Sequence, residues 1–382
     1  MNAVSKPAEY VLLALACLTI MVGCVIVPGL PDVAAQLGVA SYASWLVTMP
    51  ALGVVVFGPL AAWVIGRAGL YRALCGGLFA YGLLGAAGAL LYSPIPVFTD
   101  RLLLGAATAV VMSSGTGLIA LFYDGAERLG MIARQGMSIE LGGVIFLALG
   151  GVLATVDWYL PFTLYLIAWL FLGLVVTFVP IPVRSAISVQ SPPDQAAPRT
   201  LQTIYAAALM SMVIFFTGVI VLPFRVHELG LSQAQTGYLL SFISLVAVGA
   251  AATLPGVTRR IGAHRTLCVA FAFYALAHLL YYLASSITLI IAGAVAMGIG
   301  FGLSVPLVNH MTVEQSPVQQ RAKSLAYLSM ALFSGQFLSS FMALVPGSRS
   351  SIFAAAALLA MVVAVTLGAF GKREAVGTRR NR

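Results

Sequence analysis

Long apolar stretches alternate with short polar turns along almost the whole chain. Twelve stretches hold about 20 residues each, enough at about 1.5 Å per residue to cross the roughly 30 Å hydrocarbon core of a bilayer. They lie near residues 10–30, 44–65, 73–92, 95–121, 136–155, 159–181, 203–224, 235–256, 267–285, 288–312, 325–345 and 351–371. The pattern predicts an all-α polytopic membrane protein with twelve transmembrane helices.

A short basic pattern occurs twice, half a chain apart. The segment RRIGAHRTL follows GRAGLYRAL by 193 residues and matches it at two arginines and a glycine (Arg67, Gly69 and Arg72; Arg260, Gly262 and Arg265). Upstream, LPFRVHELG follows LPDVAAQLG by 192 residues. A membrane protein built from two copies of one helical unit is typical of a transporter, and its substrate site is expected between the copies.

One break in composition divides the chain. Residues 182–200 are rich in Pro, Ser, Gln and Ala and predict a flexible cytoplasmic linker. The predicted domains are an N-terminal six-helix bundle over 1–181, the linker over 182–200, a C-terminal six-helix bundle over 201–371 and a basic cytoplasmic tail over 372–382. Since each bundle has an even number of spans, the two copies have the same orientation.

Composition excludes a soluble domain. The chain is 61% hydrophobic and 8% charged, whereas soluble domains carry about 25% charged residues. Its net charge of +9 lies mainly in alternate loops and in the C-terminal tail, which is typical of topology determinants and not of a nucleic-acid surface. We therefore expect a multi-pass protein of the bacterial inner membrane with both termini in the cytoplasm. We expect it to bind no nucleic acid.

Enzyme and cofactor motifs are not found in the sequence. The segment HELGL begins like a zinc protease motif but lacks the second histidine, and there is no phosphate-binding loop for ATP. The four cysteines show no metal-ligand spacing and no pairing across an extracellular loop. We predict no enzymatic activity, no metal and no cofactor, with an ion gradient as the energy source.

The turn after the second span carries a family resemblance. In GPLAAWVIGRAGLYR, Gly58, Arg67, Gly69 and Arg72 match the loop motif of the major facilitator superfamily, and Gly66 stands where that motif has an acid. The chain resembles the twelve-helix drug/proton antiporter branch of bacterial exporters. The resemblance implies two six-helix bundles, alternating access, a proton gradient as the energy source and a monomer. In the family, this acid resembles a latch that stabilises one conformational state. Because Gly66 stands in its place, this chain lacks the carboxylate of the latch.

The fourth span resembles a second family motif through Arg101 and Gly105. In the family this arginine is associated with proton coupling; the alternative is that Arg101 extends to the outer headgroups. Its neighbour Asp100 is expected to point about 100° away on the helix. Asp32, after the first span, is the better candidate partner, although it also suits a helix cap.

The fifth span departs from the antiporter branch. Gly150 and Gly151 match the end of the motif found there, but Phe146 and Leu147 replace its Gly-Pro pair. Glu140 is the acid that lies clearly inside a predicted span, about five residues from the cytoplasmic side. Burial of a carboxyl group favours its neutral form, which suits a proton carrier. The alternative is an interfacial ion pair with Arg134.

Several polar and aromatic residues in the spans are candidates for a substrate cavity. A histidine in a span can join a proton relay, and hydroxyl or amide groups can bind a substrate or a neighbouring helix. These candidates are Ser113, Ser114, Phe216, Tyr238, His278, Asn309 and Gln336. An apolar cavity with one acid predicts an amphipathic or weakly cationic substrate and not a sugar phosphate.

Three functions fit these features. The leading prediction is proton-coupled efflux of amphipathic small molecules, with Glu140, Arg101 and Asp32 in proton coupling. The alternative is a dedicated exporter of an endogenous metabolite such as a siderophore or metallophore, suggested by the two departures from the family motifs. The third is a membrane sensor that binds a ligand without transporting it.

Overall fold

The computed structural model describes residues 5–182, 199–317 and 320–380, and these are helical with no strand among them. Residues 183–198 of the predicted linker and 381–382 of the predicted tail lie outside the described residues. The helices are α1 (Lys6–Cys24), α2 (Leu30–Gln36), α3 (Ala43–Ala68), α4 (Leu70–Ala87), α5 (Pro94–Phe122), α6 (Gly125–Val156), α7 (Leu160–Thr163), α8 (Ile167–Phe178), α9 (Arg199–Glu228), α10 (Gln233–Ile261), α11 (Ala263–Leu283), α12 (Ile287–Gln315), α13 (Arg321–Leu338) and α14 (Arg349–Arg380).

Twelve helical segments within the described residues are long and apolar enough to cross a membrane, as the sequence predicted. They contain 19 to 29 residues each. The short helix α2 lies between the first and second of them, and α7 joins α8 through a 3-10 turn to complete the sixth. In a hydrocarbon environment a helix satisfies its own backbone hydrogen bonds, which explains why apolar runs of this length fold as helices.

The two basic turns have the same backbone conformation. Gly69 ends α3 with φ 80° and ψ 158°, and Gly262 precedes α11 with φ 83° and ψ 157°. A positive φ is readily adopted by glycine because it has no Cβ. The side chains of Arg67, Arg72, Arg260 and Arg265 are exposed at these turns. We call the end of each unit that carries its turn the basic side of that unit.

Contacts between helices divide the chain into two compact units. Unit 1 is Met1–Val189 with Leu231–Ser241, and unit 2 is Gln190–Gly230 with Phe242–Arg382. The first turns of α10 therefore pack with unit 1.

The sequence repeat extends to helix packing inside each unit. In unit 1, α5 crosses α3 so closely that a Cβ on Gly105 would collide with the carbonyl oxygen of Pro50. In unit 2, a Cβ on Gly298 would lie 2.6 Å from the carbonyl oxygen of Ile243. Gly298 follows Gly105, and Ile243 follows Pro50, by the same 193 residues as the basic turns. The two units thus share a helix crossing as well as a turn.

Candidate functional site

A buried ion pair lies in unit 1. Arg101 is 1% exposed and Asp100 is 5% exposed, and Nη2 of Arg101 lies 2.8 Å from Oδ2 of Asp100. The Nε of Arg101 donates to the same oxygen at 3.1 Å. The expectation that Asp100 points away from Arg101 is therefore wrong. The long arginine side chain folds back onto its neighbour because an unpaired charge inside a low-dielectric core is very costly.

Arg101 is held by backbone and aromatic groups as well. Its Nη2 donates to the carbonyl oxygen of Gly85 at 3.3 Å, and its guanidinium carbon lies 5.3 Å from the ring centroid of Phe162 and 5.5 Å from that of Tyr165. A Cβ on Gly88 would occupy the position of the guanidinium. Arg101 is thus enclosed within unit 1 and does not extend to the headgroups.

Two buried tyrosines tie this cluster to α1. Tyr165 donates to the carbonyl oxygen of Val22 at 3.1 Å, and Tyr81 donates to that of Leu18 at 2.8 Å. The sequence analysis did not select either tyrosine. The sequence does contain a signal for them, because a tyrosine inside an apolar span needs a hydrogen-bond partner for its hydroxyl group.

Asp32 is not the partner of Arg101. It lies in the first turn of α2 and accepts a hydrogen bond from the side-chain amide of Gln233, at the start of α10. Both residues belong to unit 1. The correction follows from tertiary packing, because Asp100 already neutralises the guanidinium. A role of Asp32 in proton coupling stays a prediction.

Glu140 lies in the first half of a candidate membrane span of α6. The candidate span of α6 begins at Gly130, so Glu140 is ten residues, or about 15 Å, from that end of the span. The polar residues before Glu140 concealed the start of the helix in the sequence. Within the described residues the half-buried Glu140 carboxylate makes no hydrogen bond or ion pair. The alternative partner Arg134 pairs with Glu9 instead.

The face of α6 that carries Glu140 also packs against α10. Residues Glu140, Val144 and Gly151 lie within about 40° of one another around the helix axis, at about 100° per residue. The carbonyl oxygen of Val144 accepts a hydrogen bond from Ser241 at 2.8 Å. A Cβ on Gly151 would lie 2.7 Å from the carbonyl oxygen of Gln233. Glu140 therefore lies one turn beyond this contact, toward the basic side.

Two acids, not one, lie well inside the described spans. Asp100 is six residues from the start of the span that begins at Pro94, and Glu140 is the second. They differ in their surroundings, because Asp100 faces a permanent cation and Glu140 has no charged partner among the described residues. The sequence analysis singled out Glu140 and passed over Asp100.

Unit 2 contains a buried network of hydroxyl groups. The side-chain oxygens of Ser211, Tyr274 and Ser304 lie 2.9 to 3.0 Å from one another, and all three residues are fully buried. The sequence analysis did not select Ser211 or Ser304. Tyr274 follows Tyr81 by 193 residues, so the repeat offset itself was a signal.

His278 is fully buried in unit 2. Its Nε2 lies 2.9 Å from the carbonyl oxygen of Ile214, and its Nδ1 has no hydrogen-bond partner. Since a carbonyl oxygen only accepts, Nε2 carries the hydrogen, and in the neutral imidazole Nδ1 is then the acceptor nitrogen.

The other predicted cavity residues differ in burial. Phe216 and Gln336 are buried, and Asn309 is half-buried and donates to the carbonyl oxygen of Val305 at 3.0 Å. The remaining three differ in exposure: Ser113 and Tyr238 are exposed, and Ser114 is buried without a hydrogen-bond partner. Ser113, Ser114 and Tyr238 belong to unit 1 and the other four of the seven candidate residues to unit 2. A role of these residues in a substrate cavity stays a prediction. Among the described residues, no cluster of His, Cys, Asp or Glu could hold a metal ion.

Twelve apolar helices in two repeated units, with charged groups enclosed inside the spans, define a polytopic membrane transporter. The family model of the Major Facilitator Superfamily matches residues 11–340 and 203–381. The chain belongs to this family, and it is a transporter rather than an enzyme.

One curated relative matches part of the chain. The quinolone resistance protein NorA of Staphylococcus aureus (strain MRSA252) is 24% identical over 152 residues. The match covers 38% of this chain and 39% of NorA, so the chain is aligned with well under half of that relative.

Solved transporter structures match almost the whole chain. The nucleoside transporter NupG gives a TM-score of 0.78 at 11% identity, over 95% of this chain and 99% of NupG. A POT family transporter in complex with 5-aminolevulinic acid gives 0.77 at 12% identity, over 96% of both chains. A D-xylose–proton symporter gives 0.72 at 16% identity, over 94% of this chain and 95% of that one. At these identities the matches show the fold alone.

Proposed function

We propose that the protein is a proton-coupled exporter of amphipathic small molecules that works by alternating access. We place it in a bacterial inner membrane, as a monomer with both termini in the cytoplasm. The basic loops support this orientation, because Lys and Arg accumulate in cytoplasmic loops.

The observation that carries the proposal is the unpaired Glu140. It lies about 15 Å into its span and has no ion-pair partner among the described residues. An acid in this position gains or loses a proton without breaking a salt bridge, unlike Asp100, which is neutralised by Arg101. Unpaired ionisable groups inside a membrane are typical of proton and substrate pathways.

The same carboxylate supports a substrate class. When Glu140 has lost its proton, a weakly cationic group restores neutrality in its place, so that proton and substrate compete for one site. Mutually exclusive binding of two ligands at one group gives exchange of one for the other. An amphipathic cation suits a site in which the surrounding spans are apolar.

The partial similarity to NorA also favours efflux. Its name records quinolone resistance, which points to an exported drug-type compound. The solved structures are transporters of nucleosides, peptides and sugars, so the fold itself favours no particular substrate.

Arg101 and Asp32 have supporting roles in this proposal. Arg101 holds the outer half of α5 against the neighbouring helices of unit 1, and Asp32 links α2 to the start of α10. Both positions lie away from the basic side, whereas Glu140 lies nearer to it. We expect Arg101 and Asp32 to modulate proton exchange and Glu140 to carry the proton.

Proton discharge in everted membrane vesicles tests the function. Cationic, neutral and zwitterionic amphipathic compounds are added in turn to vesicles that contain wild type, Glu140→Gln or Glu314→Gln. Glu314 is 66% exposed at the end of α12 and serves as the matched control. We expect compound-specific discharge with wild type and Glu314→Gln and none with Glu140→Gln.

Two results would contradict this proposal. Normal discharge by Glu140→Gln between about pH 6 and pH 8 would remove Glu140 from the proton path. Absence of discharge for every compound, with the wild type shown to be inserted, would favour a dedicated metabolite exporter.

A further inference from the structure

Two arginines depart from the charge pattern of the chain. The lysines and arginines of the loops lie on the side of the basic turns, except for Arg225 and Arg349. A basic residue in the opposite loops runs against the usual bias of membrane proteins, so topology does not account for these two arginines.

Both arginines meet at one carboxylate of unit 2, and we call Arg225, Glu228 and Arg349 the arginine cluster. Nη1 of Arg225 lies 3.1 Å from Oε2 of Glu228, and Nη1 of Arg349 lies 3.5 Å from Oε1 of Glu228. Glu228 ends α9, and Arg349 begins α14. Nη2 of Arg225 also donates to the carbonyl oxygen of Ala284, which follows α11 at the end opposite the basic side. Two guanidinium groups and one carboxylate leave one positive charge in excess.

The two guanidinium groups differ in how many of their donors are used. Arg225 is 23% exposed and donates with both terminal nitrogens, to Glu228 and to Ala284. Arg349 is 57% exposed, and its polar contact among the described residues is the long one with Glu228. Its guanidinium carbon lies 4.6 Å from the ring centroid of Phe224. Stacking occupies one face of a guanidinium and leaves the N–H groups in its plane, so Arg349 retains donors for a ligand.

The surroundings of Arg349 are apolar and exposed. The candidate span of α14 begins at Arg349 itself, which places the guanidinium at the boundary of the membrane. Leu344 is 75% exposed and Phe341 is 44% exposed, and both lie in the 3-10 turn that packs against α9 and α14. Apolar side chains at the end of a span contact acyl chains, and a guanidinium beside them lies at the level of the headgroups. A ligand that matches both features is amphipathic and anionic.

The repeated scaffold does not require the arginine cluster. The segment LPFRVHELG follows LPDVAAQLG by 192 residues, which aligns Arg225 with Val33 and Glu228 with Gln36. Neither Val33 nor Gln36 is charged, so the same corner of unit 1 is built without these charges.

We propose that Arg349 binds the phosphate group of an anionic phospholipid. Two N–H donors of one guanidinium match two oxygens of a phosphate group, and the excess positive charge of the arginine cluster strengthens the pair. Phe224 and Glu228 hold the guanidinium in place, and Arg225 supplies the second positive charge. Leu344 and Phe341 contact the acyl chains of the same lipid.

Lipid binding at Arg349 goes beyond the proposed function, because it involves no residue of α6 and no transported compound. The orientation of the basic loops decides only which leaflet supplies the lipid, and with the basic side in the cytoplasm it is the outer leaflet. We expect lipid binding to persist in Glu140→Gln, which separates failure of this proposal from failure of the exporter proposal.

Photo-crosslinking with a lipid probe tests the site in the full-length protein in phosphatidylcholine vesicles. The probe is a photoactivatable phosphatidylglycerol, and the matched control is a phosphatidylcholine with the same acyl chains and the same photoactivatable group. Mass spectrometry measures the labelling of residues 339–351. We expect about fivefold more labelling by the phosphatidylglycerol probe, since a basic residue at an anionic surface contributes about 1 kcal/mol.

Three variants identify the residue that recognises the phosphate group. Arg349→Gln removes the charge, Arg349→Lys keeps it without the bidentate geometry, and Arg259→Gln removes an exposed arginine from the basic side of unit 2. We expect the preference for phosphatidylglycerol to disappear in Arg349→Gln, to weaken in Arg349→Lys and to stay unchanged in Arg259→Gln. A preference retained in Arg349→Lys shows that its loss in Arg349→Gln does not come from misfolding.

Three results would overturn the proposal. Equal labelling of the wild type by both probes would show that the segment contacts lipid without recognising its charge. An unchanged preference in Arg349→Gln would exclude Arg349. Loss of the preference in millimolar inorganic phosphate at constant ionic strength would assign the site to a free anion instead of a lipid.

Discussion

The buried pair of Asp100 and Arg101 shows how one residue neutralises the charge of its neighbour. Arg101 alone would be a cation inside the apolar core of unit 1, and Asp100 makes the pair neutral. Aromatic rings and the carbonyl oxygen of Gly85 satisfy the remaining guanidinium surface. The pair is therefore part of the packing of unit 1, whatever its role in transport.

Removing one member of the pair should be more harmful than removing both. Asp100→Asn leaves the Arg101 charge buried without compensation, and we expect unit 1 to lose about 3–5 kcal/mol of unfolding free energy. The double variant Asp100→Leu, Arg101→Leu should lose much less because no charge remains. Thermal unfolding in detergent micelles measures both.

Equal destabilisation by the single and double variants would show that the hydrogen bonds of Arg101, and not its charge balance, stabilise unit 1. Transport by a stable double variant separates the structural role of Arg101 from the proton-coupling role that the family resemblance implies.

At the scale of helices, backbone proximity decides which positions tolerate a side chain. The crossings of α5 on α3 and of α12 on α10 bring one glycine against a carbonyl oxygen in each unit (Gly105 at Pro50, Gly298 at Ile243). In a membrane, close helix approach replaces the hydrophobic effect as the source of helix association. These glycines are thus determinants of packing in the two units.

A methyl group should separate these helices. We expect Gly105→Ala and Gly298→Ala each to lower the unfolding free energy by about 1–3 kcal/mol, since overpacking shifts the backbone. Gly58→Ala is the matched control, because a Cβ on Gly58 meets no atom within 4 Å. Thermal unfolding of the three variants checks this, and the same loss in all three would contradict the packing argument.

Over the whole molecule, the two units keep the same turn and helix crossing but differ in their buried polar groups. Gly69 and Gly262 share a backbone conformation, whereas Arg101 in unit 1 corresponds to Ala294 in unit 2. The scaffold is thus repeated, while the buried polar chemistry is particular to each unit.

The positions of the basic loops make a topology prediction. In a variant without the four natural cysteines, Ser286→Cys should react with a membrane-impermeant thiol reagent on intact bacteria, and Arg259→Cys should react only after permeabilisation. Both positions are exposed and lie at opposite ends of α11. The reverse labelling pattern would place the basic side outside and contradict the charge rule.

The sequence by itself determined the twelve spans, the twofold repeat and the equivalence of the two basic turns. Each of these rests on local physics: an apolar run of sufficient length forms a helix in a bilayer, and a glycine at the same place in each turn adopts the same positive φ. Glu140 was found in the same way, because an acid in an apolar run is conspicuous.

Only the tertiary structure decided the partners. It placed Arg101 on Asp100 instead of Asp32, left Glu140 without Arg134, and brought His278 together with Phe353. The periodicity of a helix says which face a residue occupies but not which helix lies against that face. Since the energy of a buried charge or polar group depends on its partners, the chemistry of these residues follows from packing and not from their local sequence.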